Sequence, residues 1–161
     1  MADNLSIDRR TSALLVMDFQ TLIVDNYALD AKALLNRTAK LMAAARTAAI
    51  PVIYVVVGFR PGYPEVSDRN ATFNGLKASG AFAAGAESAK IHPALAPLAE
   101  EIVVTKHRVS AFAGTDLDLI LRQRHRDPDP DGDHHQRRRT LDVAPCRRRG
   151  LQIAGRRRLL L

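Results

Sequence analysis

Three short apolar runs limit what this chain can fold into. They are Ala13-Leu14-Leu15-Val16-Met17, Val52-Ile53-Tyr54-Val55-Val56-Val57 and Ile102-Val103-Val104-Thr105. None alternates apolar with polar residues. An uninterrupted run of this length, rich in β-branched residues, suits a strand covered on both faces, as in a parallel sheet between helical layers. Each run stops at polar residues: Asp18-Phe19-Gln20, Gly58-Phe59-Arg60 and Lys106-His107.

The segments between the runs complete the pattern. Asp30 can cap a helix reaching about Ala49, because Leu34, Leu35, Thr38, Leu41, Met42, Ala45 and Ala49 recur at helical spacing. Ile50 precedes Pro51, which disfavours helix at that point. Residues 58–101 are rich in Gly, Ala and Pro and read as mostly loop, with one helical turn near Pro97. A connection of that length is usually functional or disordered. Thr115 and Asp118 resemble a capping box that opens a helix through Leu117, Ile120 and Leu121. Strand, helix, strand, loop, strand, helix is the order of an α/β fold.

The pattern stops after Arg122. Residues 1–121 hold 12 Lys and Arg against 12 Asp and Glu, whereas residues 122–161 hold 12 Arg against 5 Asp. The whole formal charge of +7 therefore lies in the last 40 residues. Asp127-Pro128-Asp129-Pro130-Asp131 leads into His134-His135 and arginine triplets at 137–139, 147–149 and 156–158. The chain divides into a domain over 1–124 and a basic, irregular tail over 125–161.

Parallel sheets place their sites beyond the C-terminal ends of the strands. Asp18 and Lys106 end the first and third runs at the same sheet edge, so the two can meet. An Asp beside a Lys stays ionised and can accept a proton. A plain ion pair closing the sheet edge is the competing reading.

The residues at these positions carry a resemblance. ALLVMDFQ, then VIYVVVGFRPGYPE, then VVTKHRVSAFAGTDLDLILR closely resembles the isochorismatase-like cysteine hydrolases, which include isochorismatases, nicotinamidases and carbamoylases. The match runs over about residues 11–124. It implies a three-layer α/β/α sandwich with a parallel Rossmann-like sheet, here expected to be truncated after the third strand. It implies a catalytic trio of Asp, Lys and Cys, in which Asp18 matches the general base and Lys106 the second member. Phe19, Gln20 and Phe112 flank these positions and are expected to line a small substrate pocket. Arg60 is a candidate partner for a substrate carboxylate. His92 and His107 are expected to be surface or supporting residues.

The third member of the trio is not where the resemblance expects it. In the family the Cys opens a helix after the fourth strand, where backbone N–H groups stabilise an oxyanion. The family pattern after the last helix resembles LRxRGIxTLxLTGxxTSG, but this chain reads LRQRHRDPDPDGDHHQRRR. A single-base slip near the Arg124 codon reconciles the two. Starting from the second base of each codon, Asp133, His134 and His135 each become Ile or Thr. With GC-rich codons chosen, the tail becomes GIETLILTGITTSGVVLSTLRHAADADYR. Every Arg codon has G in its second position, so the codon spanning Arg138 and Arg139 cannot become Cys. The restored text therefore resembles Cys-less members of the superfamily.

The other signals in the tail are weaker. Cys146 is the only thiol and sits beside arginines that would lower its pKa, but it is outside the family context. Asp127, Asp129 and Asp131 imitate a calcium loop, yet Arg138 stands where the bidentate Glu belongs. His134, His135 and Cys146 match no standard zinc spacing. No metal and no cofactor are expected, and GFRPGYPEVSDRN lacks the His of metal-dependent relatives. One cysteine suits a reducing compartment. With no apolar run near the roughly 20 residues of a membrane span and no signal-like N-terminus, a cytoplasmic location is expected.

The resulting expectation is a hydrolase of a small amide, ester or vinyl ether, disabled by loss of the nucleophile segment. Its partner is a small-molecule substrate, and intact relatives are expected to form homo-oligomers. Two alternatives are a nucleic-acid binder using the arginine tail and a non-catalytic interaction subunit. The slip explains the arginines without selection for binding, which ranks the nucleic-acid reading lower. Loss of the fourth strand is also expected to leave one edge of the first strand bare.

Overall fold

The computed structural model describes residues 7–124, 139–144 and 152–157. Strand β1 is Ser12–Met17, β2 is Val52–Val57 and β3 is Ile102–Lys106, and they form a parallel sheet in the order β3-β2-β1. Leu14 pairs with Val52 across the first interface and Ile53 with Ile102 across the second.

Both faces of β1 and β2 are buried, which is why their runs do not alternate, while β3 at the edge exposes Val103 and Thr105. Leu14, Val16, Val52 and Tyr54 point into one core, covered by Leu34, Leu35, Met42 and Ala45. Those four belong to helix α2, Ala31–Thr47, which follows the short helix α1, Thr21–Tyr27. Ala13, Leu15, Ile53, Val55 and Val104 point into a second core with Ala111, Leu117 and Leu121. Helix α4, Leu117–Arg124, supplies the last two. Helix, sheet and helix make the expected three layers.

The capping of α2 is as the sequence predicts: the Ala33 N–H donates to Asp30 Oδ1 at 2.9 Å. The helix ends at Thr47, two residues short of the expected Ala49, which takes a φ of 56°. Thr38 is fully buried on its inner face and donates its hydroxyl to the Leu34 carbonyl at 2.9 Å. The start of α4 differs from a capping box. Thr115 Oγ1 accepts from the Leu117 N–H at 3.3 Å, while Asp118 accepts from Arg122 one turn on, at 2.7 Å.

The long connection after β2 is mostly loop, as expected, but it holds more helix than the single turn predicted near Pro97. It contains helix α3, Ala71–Ser79, capped by Asn70, whose side chain accepts from the Phe73 N–H. Gly80 ends the helix at φ 68°, a left-handed position that glycine takes without strain. Single 3₁₀ turns follow at Glu87–Ala89 and Pro93–Leu95. Beneath them Phe59, Tyr63, Val66, Phe73, Ala81 and Phe82 form a third apolar cluster. Gly75 and the small residues of this stretch hide the helix from a periodicity reading.

The C-terminal part departs from expectation in two places. Residues Arg139–Ala144 form β4, parallel to β1, and Gln152–Arg157 form β5, antiparallel to β4, so the sheet runs β3-β2-β1-β4-β5. The sheet therefore continues past its third strand, and β1 is paired on both sides. The physical reason is general: a strand edge offers a row of backbone donors and acceptors that any extended segment can satisfy, whatever its side chains. The calcium-like aspartates at 127, 129 and 131, His134, His135 and Cys146 lie outside the described residues.

Candidate active site

Asp18 is the first residue beyond β1, and its backbone turns sharply there, at φ 61°. Its N–H still donates to the Val55 carbonyl at 3.0 Å, so the turn starts from a fixed point. Asp is among the few residue types that tolerate this left-handed conformation. Lys106 is the last residue of β3 and is buried to 3% exposure. Its Nζ donates to Asp18 Oδ2 at 2.9 Å and to the Val109 carbonyl at 3.2 Å. The other carboxylate oxygen, Asp18 Oδ1, is buried and has no hydrogen-bond partner. The sequence-derived pair is thus brought together, with one acceptor atom held open.

The flanking residues have other tasks. Phe19 is buried in the core beneath α2, and its carbonyl accepts from the His92 N–H at 2.8 Å. It does not line an open pocket. Gln20 is completely buried, and its amide is consumed by backbone groups. Nε2 donates to the Val57 carbonyl at 2.8 Å and the Ala89 carbonyl at 2.7 Å, while Oε1 accepts from the Val57 N–H at 2.7 Å. The expected substrate-binding role of Gln20 is corrected to one of holding the ends of β1 and β2 to the 3₁₀ turn. Phe112 is half-buried against the core beneath α4.

Arg60 is exposed, but its guanidinium is engaged by Glu65 of the same loop. Burial pushes the Glu65 carboxyl up. The hydrogen bond from Arg60, a backbone N–H and the charges of Arg60 and His107 outweigh it and hold the pKa below the usual glutamate range. Arg108 donates to the Glu65 carbonyl at 2.8 Å and the His107 carbonyl at 2.7 Å. His107 Nδ1 lies 2.6 Å from the Gly58 carbonyl, and His92 Nδ1 accepts from the Ala94 N–H at 3.2 Å, so both histidines have structural contacts. Glu65 and the Val109 carbonyl escape sequence reasoning although both stand within the segments that carry the resemblance, since a loop glutamate reads as solvated and a backbone carbonyl leaves no mark in a sequence.

A shallow concavity lined by Ile7, Asp8, Arg9, Arg10, Ala48 and Ile50 lies where β1 and β2 begin, at the opposite end of the sheet from Asp18. Among the described residues, no group of three His, Cys, Asp or Glu could hold a metal ion. No helix among them is long and apolar enough to cross a membrane.

The fold and the paired strand ends define a three-layer α/β domain with a Rossmann-like sheet, and comparison with known proteins specifies which. The Isochorismatase domain family matches residues 12–128, so the chain belongs to the isochorismatase family. A cysteine hydrolase from Pseudomonas syringae pv. phaseolicola 1448A is 26% identical with a TM-score of 0.68, over 79% of this chain and 62% of that one. An isochorismatase family protein from Desulfovibrio vulgaris is 31% identical with a TM-score of 0.63, over 71% and 62%. N-carbamoylsarcosine amidase from Thermoplasma acidophilum is 26% identical with a TM-score of 0.56, over 70% and 61%. The chain thus spans less than two thirds of the length of these relatives. No curated protein matches it.

Proposed function

We propose that this chain derives from a hydrolase of small amides, esters or vinyl ethers, and that it is catalytically impaired as encoded. Asp18 is the general base and Lys106 holds its charge in place. The observation that carries this reading is the pair itself: Lys106 Nζ at 2.9 Å from Asp18 Oδ2, with Asp18 Oδ1 buried and unpartnered. A carboxylate oxygen with no internal donor is suited to take a proton from a nucleophile or a water. The segment after α4, where the resemblance places the nucleophile, is by our inference read in a shifted frame from near Arg124, and its restored text carries no Cys at that position. The arginine triplets are a by-product of that frame, which leaves the nucleic-acid reading without support.

Two measurements test this. Resequencing the codons for Gln123 to Arg126 should return the sequence that encodes this chain, with the family text in the second-base frame downstream; a reading one base shorter there would mean that the cell makes an intact relative and would reject the impairment. Purified chain tested on a panel of carbamoyl, amide and ester substrates should give no turnover above that of an Asp18→Asn variant. Turnover that disappears in that variant shows the chain to be a working hydrolase and rejects the impairment.

A further inference from the structure

β3 closes one side of the sheet, and among the described residues no strand lies on its outer side. The Gly58 N–H donates to the Lys106 carbonyl at 3.2 Å, so the backbone of Lys106 faces β2. Backbone direction alternates along a strand. Ile102 and Val104 therefore also face β2, and the N–H and C=O of Val103 and Thr105 face outward. Both of these side chains are exposed, Val103 to 43% although it is a large apolar residue. Neither Pro nor a charged residue interrupts Ile102 to Thr105, the usual means of blunting such an edge.

The charges at the two ends of the strand are opposite. Glu100 is exposed at the entrance and has no ion pair among the described residues. Arg108, exposed just past the exit, donates to two carbonyls but to no carboxylate. Glu101 and Lys106 are occupied by Arg46 and Asp18. The free charges read acidic to basic along the chain, which is complementary to its own reverse.

We propose that the β3 edge docks a second copy of this chain, antiparallel, about a twofold axis at Val104. This register places Val103 of each copy opposite Thr105 of the other. Both have outward-facing backbone, so each pair exchanges two hydrogen bonds in the narrow antiparallel pattern. The exposed Val103 and Thr105 side chains then cover one another as β-branched cross-strand neighbours. The same register sets Glu100 opposite Arg108 at both ends. Shifting it by one residue would put outward-facing backbone against inward-facing backbone and lose the ladder.

The test uses the full chain. Sedimentation velocity over a concentration series should show a reversible dimer. Hydrogen exchange should show the Val103 and Thr105 amides protected, increasingly so as concentration rises. Val103→Lys should weaken dimerisation at least tenfold. Glu100→Arg and Arg108→Glu should each weaken it, while the two together should restore it. Unchanged circular dichroism would show that each variant is folded. Val103 and Thr105 amides exchanging at the unprotected rate at every concentration would overturn the proposal. So would a dimer indifferent to Val103→Lys and to the charge swap. Neither outcome bears on Asp18 or on the reading frame.

Discussion

Lys106 and Asp18 meet across a strand to which neither belongs: β2 lies between β1 and β3, and the 2.9 Å contact spans its C-terminal end. The pair therefore ties the end of β1 to the end of β3 above the strand that separates them. Its members are unequal in exposure, with the Lys106 side chain 4% exposed and the Asp18 side chain 25%.

That inequality predicts unequal costs. Lys106→Met leaves a carboxylate that water can still reach, and should lower unfolding free energy by about 1–3 kcal/mol. Asp18→Asn keeps a residue type that tolerates the positive φ, but leaves a buried ammonium with only neutral acceptors. It should cost more than Lys106→Met. Urea denaturation of both variants measures the order; the reverse order would show that the Asp18 charge, not the Lys106 charge, is the harder one to accommodate.

The pH dependence of stability should have two separable limbs. Glu101 accepts from Arg46 at 2.8 Å and from the Leu98 N–H at 2.8 Å. Burial raises its pKa, but these bonds and the Arg46 charge outweigh burial and hold it below the ordinary value. A lowered carboxyl pKa contributes stability that is complete above the unfolded value of about 4.3 and is lost as pH falls through the folded value. Tyr54 shifts the other way, pushed up to about 12 by burial and then by the Glu101 charge. Its contribution is complete below about 10 and is lost as pH rises toward the folded value. Glu101→Gln should flatten the acid limb and Tyr54→Phe the alkaline limb, read from unfolding free energies at a series of pH values.

Gln20 predicts the largest single loss. Its amide satisfies three backbone groups that no other side chain reaches. Gln20→Leu conserves approximate volume and strands all three, at roughly 1–3 kcal/mol for each buried group. A loss of at least about 3 kcal/mol is expected by urea denaturation. A near-neutral result would mean that water enters to replace the amide.

The sheet and its helices were legible because their residues are repetitive in a physical sense. Continuous apolar runs fit strands covered on both sides, and the period of Leu34, Leu35, Thr38, Met42 and Ala45 fits one face of a helix. Asp18 and Lys106 were legible because strand ends in a parallel sheet converge. Gln20 was misread because nothing in a sequence separates an amide aimed at a ligand from one aimed at a neighbouring backbone. Helix α3 was missed because its stability comes from the tertiary cluster around Phe59 and Phe73, not from its own composition. The tail was only partly legible: its side-chain pattern carries no period, while pairing along a sheet edge is a backbone property.

The left-handed turn at Asp18 narrows the alphabet available at that position for reasons unconnected with chemistry. A base one methylene longer, as in Asp18→Glu, would lose the tolerance that Asp, Asn and Gly share for such a backbone. Anyone re-engineering this scaffold would find the reach of the carboxylate at this position set by the chain's own dihedral angles, and would have to move it to another strand end to lengthen that reach.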